Sequence, residues 1–160
     1  DVIRGTPSVV QLLIMYFIIF GSVNISKVIV AVIAFGINSG AYVAEIIRAG
    51  ILAVDKGQME AGRSLGLSYI STMRYIIIPQ AIKNIIPALG NEFIVLLKET
   101  AIVGYIALRD LTKVGDEIRS ITYDPFLPLL TVAIIYLFIT TVLSRLLDVF
   151  ERRLRAGDNR

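Results

Sequence analysis

The chain has 160 residues, 56% of them hydrophobic and 18% charged, an apolar load too heavy for a soluble domain of this size to bury. With a mean hydropathy of +0.75 and no alternation of short strands, it reads as a helical membrane protein rather than a β-barrel. The absence of Cys and His excludes disulfides, thiolate metal sites and His-based metal or acid–base chemistry, and a net charge of +3 with basic residues grouped by segment fits membrane orientation, not nucleic-acid binding.

The opening run Asp1-Val2-Ile3-Arg4-Gly5-Thr6-Pro7 carries no initiator Met and no signal-peptide pattern, so the chain is expected to be a fragment. Residues 8–22 are apolar but short of the roughly 20 residues of a full span, and with Pro7 ahead of them they read as the outer part of a truncated one. After a polar turn over 21–27, residues 28–44 run without charge and predict a complete span continuing through Glu45 to about Arg48. Residues 84–106 predict a third, interrupted by Glu92, Lys98 and Glu99. Residues 125–144, wholly uncharged, predict a fourth. The tail over 151–160 is polar and basic.

Orientation follows from Lys and Arg. The stretch 48–83 holds Arg48, Lys56, Arg63, Arg74 and Lys83 against Asp55 and Glu60, and the C-terminal region holds Arg145, Arg152, Arg153, Arg155 and Arg160. The connection 107–124 sets Arg109, Lys113 and Arg119 against Asp110, Asp116, Glu117 and Asp124. The first two regions are therefore expected in the cytoplasm and the connection outside.

The long cytoplasmic loop is patterned. Asp55 with Gln58 three residues on predicts a capping box opening a short helix through Leu65, which Gly66 stops. Ser68 then caps a second short helix through about Ile78, before Pro79 interrupts the chain. Two such helices suit either docking into a partner's groove or an amphipathic hairpin on the lipid surface.

Glu60-Ala61-Gly62, three residues, Gly66, nine residues, Ile76, one residue and Ile78-Pro79 resemble the EAA loop of ABC importer permeases, whose pattern ends in Ile-x-Leu-Pro. Arg4-Gly5-Thr6-Pro7 with Val10-Gln11-Leu12, the run from Asn38 to Glu45, and Pro87-Ala88-Leu89-Gly90-Asn91-Glu92-Phe93 resemble the polar amino acid branch, the His/Glu/Gln/Arg/opine-type permeases. Departures are Gly62 for Ala, Lys56 where Pro is frequent, Ser8 for Leu and Ile78 for Leu.

The resemblance covers nearly the whole chain. It implies an all-α polytopic bundle of the type I ABC importer kind, with residues 1–160 one transmembrane domain and 55–79 its coupling loop, the first span and the start of the second lying outside this sequence. It favours docking and implies two cytoplasmic ATPase subunits, a second permease subunit, an extracytoplasmic amino-acid-binding protein and a polar amino acid as substrate. It also implies a prokaryotic inner membrane, with loop and C-terminus cytoplasmic. The chain has no phosphate-cradling Gly-x-x-x-x-Gly-Lys-Ser/Thr and is expected to bind no cofactor, so ATP and Mg2+ fall to the partner ATPase. Glu60 is the main coupling residue expected, with Ala61, Gly62 and Gly66 setting the close approach and Pro79 closing the loop. Arg63 is either an ion-pair partner there or an ordinary inside-positive charge.

Charges inside lipid require pairing or a polar cavity. Glu92 and Glu99, seven residues apart, share a helix face, while Lys98 sits off it. Two acids near a pathway suit the ammonium of an amino acid or a cationic side chain. Lys98 either neutralises Glu99 or faces the substrate carboxylate. Asn91 and Thr100 flank these charges. Asn38 and Ser39, followed by Gly40, are further pathway candidates, although packing also explains Gly40, and Glu45 either reaches the interface or pairs with Arg48. The rival function is an ion channel or secondary transporter conducting along the charged span, which the spacing from Glu60 to Pro79 opposes. A membrane enzyme ranks third, for want of a nucleophile with a positioned base.

Overall fold

A computed structural model describes residues 2–156, and side chains as far as Arg153; the predicted basic tail beyond these bounds lies outside the described residues. All regular structure among them is helical. Pro7, extended, opens α1 (Ser8–Leu13), which widens into a π-helical turn over Ile14–Ile19. The turn closes where the Phe20 N–H donates to the Met15 carbonyl five residues back, at 2.9 Å.

α2 (Lys27–Leu52) runs 26 residues, about 39 Å at 1.5 Å per residue, longer than the roughly 30 Å hydrocarbon core needs. The predicted span therefore extends past Arg48 by a full turn. α3 (Lys56–Ser64) and α4 (Tyr69–Thr72) follow, and a π turn over Met73–Ile77 leads directly into α5 (Ile78–Glu99).

Pro79 was expected to interrupt the chain, yet backbone helicity passes through it. Proline lacks an N–H and its ring crowds the carbonyl four residues back. The π turn just before it shifts the bonding to five residues, with Ile78 N–H donating to the Met73 carbonyl, and so accommodates the ring.

α5 ends at Glu99, and the predicted third span finishes as a 3-10 segment, Thr100–Ile106, that stops at Ala107 in left-handed conformation (φ 58°). The region 107–124, expected to be a connection, contains a further helix, α6 (Leu111–Thr122). Its polar sequence hid an amphipathic pattern. α7 (Phe126–Ala156) is 31 residues long and absorbs the predicted fourth span together with Arg145, Arg152 and Arg153. α2 and the Phe126–Arg153 part of α7 are long and apolar enough to cross a membrane.

Contacts divide the chain into two units, Asp1–Ala41 with Phe93–Ser144, and Tyr42–Glu92 with Arg145–Arg160. In the first, Val30, Ala31, Ala34, Phe35 and Asn38 of α2 are buried, the i, i+1, i+4, i+5, i+8 stripe of one helical face. Leu12, Ala31, Ala34, Phe35 and Ile106 form its core. α6 packs on the start of α7 through Gly115, where a Cβ would lie 2.5 Å from Val132 Cγ2.

In the second unit, glycines again admit neighbours. Gly50 leaves room for Ile85, and Gly90 for Leu147. Pro87 inside α5 and Ala81 are buried.

Candidate coupling loop and pathway residues

The loop lies wholly within the second unit. Asp55 accepts from the Gly57 N–H at 2.7 Å and starts α3. The reciprocal half of the capping box does not form: the Gln58 side chain instead accepts from Gln80 Nε2 at 3.4 Å. Gly66 ends α3 as predicted, at φ +82°, a left-handed conformation that glycine adopts at little cost. The N–H of Gly66 reaches the Arg63 carbonyl at 3.0 Å and that of Leu67 the Gly62 carbonyl at 3.1 Å, the paired bonds of a Schellman motif. Ser68 caps α4 as predicted, accepting from the Ser71 N–H at 3.2 Å.

Gly62 is buried, facing the loop's own second helix. A Cβ there would lie 2.6 Å from Thr72 Cγ2 and 3.1 Å from Ile76 Cδ1. Thr72 is fully buried and donates its hydroxyl to the Ser68 carbonyl at 3.0 Å. The close approach that Gly62 permits is thus internal, α3 against α4 and the π turn. Glu60, Ala61 and Arg63 lie on the opposite, exposed side of α3, while Gly66 and Pro79 are also exposed. No ion pair joins Glu60 to Arg63 among the described residues.

Of the expected pathway residues, Asn38 is 4% exposed and donates through Nδ2 to Gln11 Oε1 at 3.1 Å. Gln11 in turn donates to the Thr6 hydroxyl at 2.7 Å and to the Ile3 carbonyl at 2.5 Å. This network ties the segment before α1 to α1 and α2. Only the nearness of two amides in the folded chain reveals it, since Gln11 and Asn38 are 27 residues apart.

Ser39 is half-buried and has an interaction partner. Glu45 pairs with Arg48 through both carboxylate oxygens, as the helical spacing allowed. Along α5, Asn91 and Lys98 are exposed, and Glu92 and Glu99 are half-buried, each taking part in an interaction. No ion pair joins Lys98 to Glu99 among the described residues. Thr100 is exposed and donates to the Leu97 carbonyl at 2.7 Å. A Cβ on Gly40 would meet no side chain or distant backbone within 4 Å.

A charge cluster on α6 escaped the sequence reading. Asp110 caps the helix, accepting from Thr112 and Lys113 N–H groups at 3.1 and 3.0 Å. Arg109 pairs with Glu117 at 2.8 Å. Asp116 accepts from Arg119 at 2.6 and 3.0 Å and faces Lys113 at 3.5 Å. The Arg119 hydrogen bonds, then its charge, hold the Asp116 carboxyl below its ordinary range, with Lys113 adding to the effect. No group of three or more His, Cys, Asp or Glu side chains suited to a metal occurs among the described residues.

Residues 1–156 match the family described as binding-protein-dependent transport system inner membrane component. The glutamine transport system permease protein GlnP of Escherichia coli (strain K12) is 42% identical over 158 residues, covering 97% of this chain and 72% of the relative. The arginine transport system permease protein ArtQ of Bacillus subtilis (strain 168) is 43% identical over 160 residues, covering 99% and 73%. Among solved structures, an amino acid ABC transporter with histidines is 59% identical with a TM-score of 0.88, over 95% of this chain and 72% of that one. An inward-facing MetNI methionine ABC transporter, 19% identical with a TM-score of 0.78 over 96% and 71%, shares the fold. The expected type I ABC importer permease architecture is therefore the observed one, and the chain belongs to the binding-protein-dependent transport system inner membrane component family.

Proposed function

We propose that this chain is the transmembrane subunit of an ABC importer that takes up polar L-amino acids, and that residues 55–79 couple this movement to ATP hydrolysis on two separate cytoplasmic ATPase subunits. The observation that carries the reading is the prefolded hairpin: Gly62 locks α3 onto Thr72 and Ile76, which leaves Glu60, Ala61 and Arg63 facing outward. A docking helix already ordered loses less conformational entropy on binding. Direct continuation of α4 through the π turn into α5 supplies a mechanical link, so that ATP-driven movement of the docked helix tilts a spanning helix between two states.

The glutamine and arginine permeases that the chain resembles support a polar amino acid as substrate. A second permease subunit and an extracytoplasmic binding protein complete the proposed importer. In this reading Ser39, Asn91, Glu92, Lys98, Glu99 and Thr100 line the path. Asn38, hydrogen-bonded to Gln11, and Glu45, paired with Arg48, are further pathway residues in this proposal. The Lys and Arg distribution supports a cytoplasmic loop and C-terminus, and the family supports a prokaryotic inner membrane.

Glu60→Lys in the full-length complex reverses the charge at the centre of the docking face. It is expected to abolish uptake while the permease still folds, with ATP hydrolysis no longer stimulated by loaded binding protein. Uptake and hydrolysis equal to the parent's would refute the docking role of Glu60.

A further inference from the structure

A cleft between the 3-10 segment and α6, inside the first unit, is used neither by the coupling loop nor by the charges of α5. Its volume is about 330 Å³, within the range of small-molecule sites. Ala101, Gly104 and Leu129 give it a small, apolar side, and Thr112, Lys113 and Asp116 a polar one. The lysine stem lies along the 3-10 segment: a Cβ on Gly104 would stand 3.4 Å from Lys113 Cδ, an ordinary van der Waals contact.

The two oxygens of Asp116 differ. Oδ1 is taken by Arg119 Nε at 3.0 Å and Nη2 at 2.6 Å. Oδ2 faces Lys113 Nζ at 3.5 Å, beyond the length of a good charge-assisted hydrogen bond. Lys113 and Asp116 thus present opposite charges to the cleft in a loose pair, both partly exposed. Arg119 holds the carboxylate in place and ionised.

An α-amino acid carries a carboxylate and an ammonium on neighbouring atoms. Entering between Nζ and Oδ2, it replaces one loose ion pair by two shorter charge-assisted bonds, its carboxylate on Lys113 and the Thr112 hydroxyl, its ammonium on Asp116. Its side chain is left toward Ala101, Gly104 and Leu129.

We infer that Thr112, Lys113 and Asp116 form a subsite for the zwitterionic head of an α-amino acid, at the outer end of the chain's pathway. The ligand class and the outer placement rest on the proposed transport function.

The test uses the full-length permease with its ATPase partners in proteoliposomes. The chain has no Cys, so Tyr105→Cys, which lines the cleft outside the three subsite residues, and, as a control outside the cleft, Ser120→Cys are single reporters for an impermeant maleimide added outside. L-glutamine or L-arginine is the probe. At a concentration about tenfold above half-protection, labelling of Tyr105→Cys is expected to slow about tenfold, as occupancy of one site requires, while Ser120→Cys labels at an unchanged rate. Adding Lys113→Met keeps the aliphatic stem, removes the cation and is expected to abolish protection. No protection of Tyr105→Cys, equal slowing at both positions, or protection that survives Lys113→Met would overturn the subsite. Protection in a complex that takes up no amino acid would uphold the subsite and refute the transport reading instead.

Discussion

Gly62 shows how one missing methyl group sets the geometry of the loop. An alanine would favour α3 by about 1 kcal/mol through helix propensity, but its Cβ would press on Thr72, which is fully buried and cannot move aside. Overpacking of that kind costs about 1–3 kcal/mol, so Gly62→Ala is expected to lower the melting temperature of the purified complex and speed hydrogen exchange in residues 56–77. Thr72→Ser removes the obstructing methyl and keeps the hydroxyl bonded to the Ser68 carbonyl. The pair Gly62→Ala/Thr72→Ser is therefore expected to recover most of the loss, a coupling between neighbours that additive effects would not produce.

Glu99 poses a question of electrostatics at the same scale. Glu99→Gln keeps length and shape, so it is expected to reduce arginine uptake more than glutamine uptake, with the melting temperature of the complex unchanged. Equal loss for both substrates with a lowered melting temperature would assign Glu99 to structure alone.

Among the elements, the loop was legible because its signals are local. Asp55, Gly66 and Ser68 act within a few residues of themselves, and each caps or stops a helix where its chemistry requires. The π turn was not legible, since Pro79 predicts an interruption and only the five-residue hydrogen bonding before it lets the helix continue. α6 was missed for a different reason. Its charges at 113, 116, 117 and 119 enter the sequence reading only through orientation, although Asp110 carries the same capping signal as Asp55. The Asn38–Gln11 bond depends on two helices meeting and leaves no trace in sequence spacing.

Topology belongs to this scale. Single cysteines in the full-length chain are expected to report opposite sides: Ser68→Cys labelled by an impermeant reagent only from the cytoplasm, Lys113→Cys only from outside. Labelling of both from one side would break the alternation of spans inferred from the Lys and Arg content.

For the molecule as a whole, long apolar helices expose most of their apolar surface: Phe138 in α7 is 69% exposed and Leu137 66%. Such surface is expected of spans that meet lipid or further transmembrane helices. In the proposed importer the energy for uptake comes from separate ATPase subunits, delivered at the exposed face of α3. The most direct test is ATP hydrolysis by the full-length permease purified with its ATPase partner, measured in proteoliposomes with and without binding protein loaded with L-glutamine or L-arginine. Hydrolysis that rises with the loaded binding protein, accompanied by accumulation of the labelled amino acid, is the predicted result. Accumulation that needs no ATP and follows an ion gradient or the membrane potential would contradict it and identify a secondary transporter or channel.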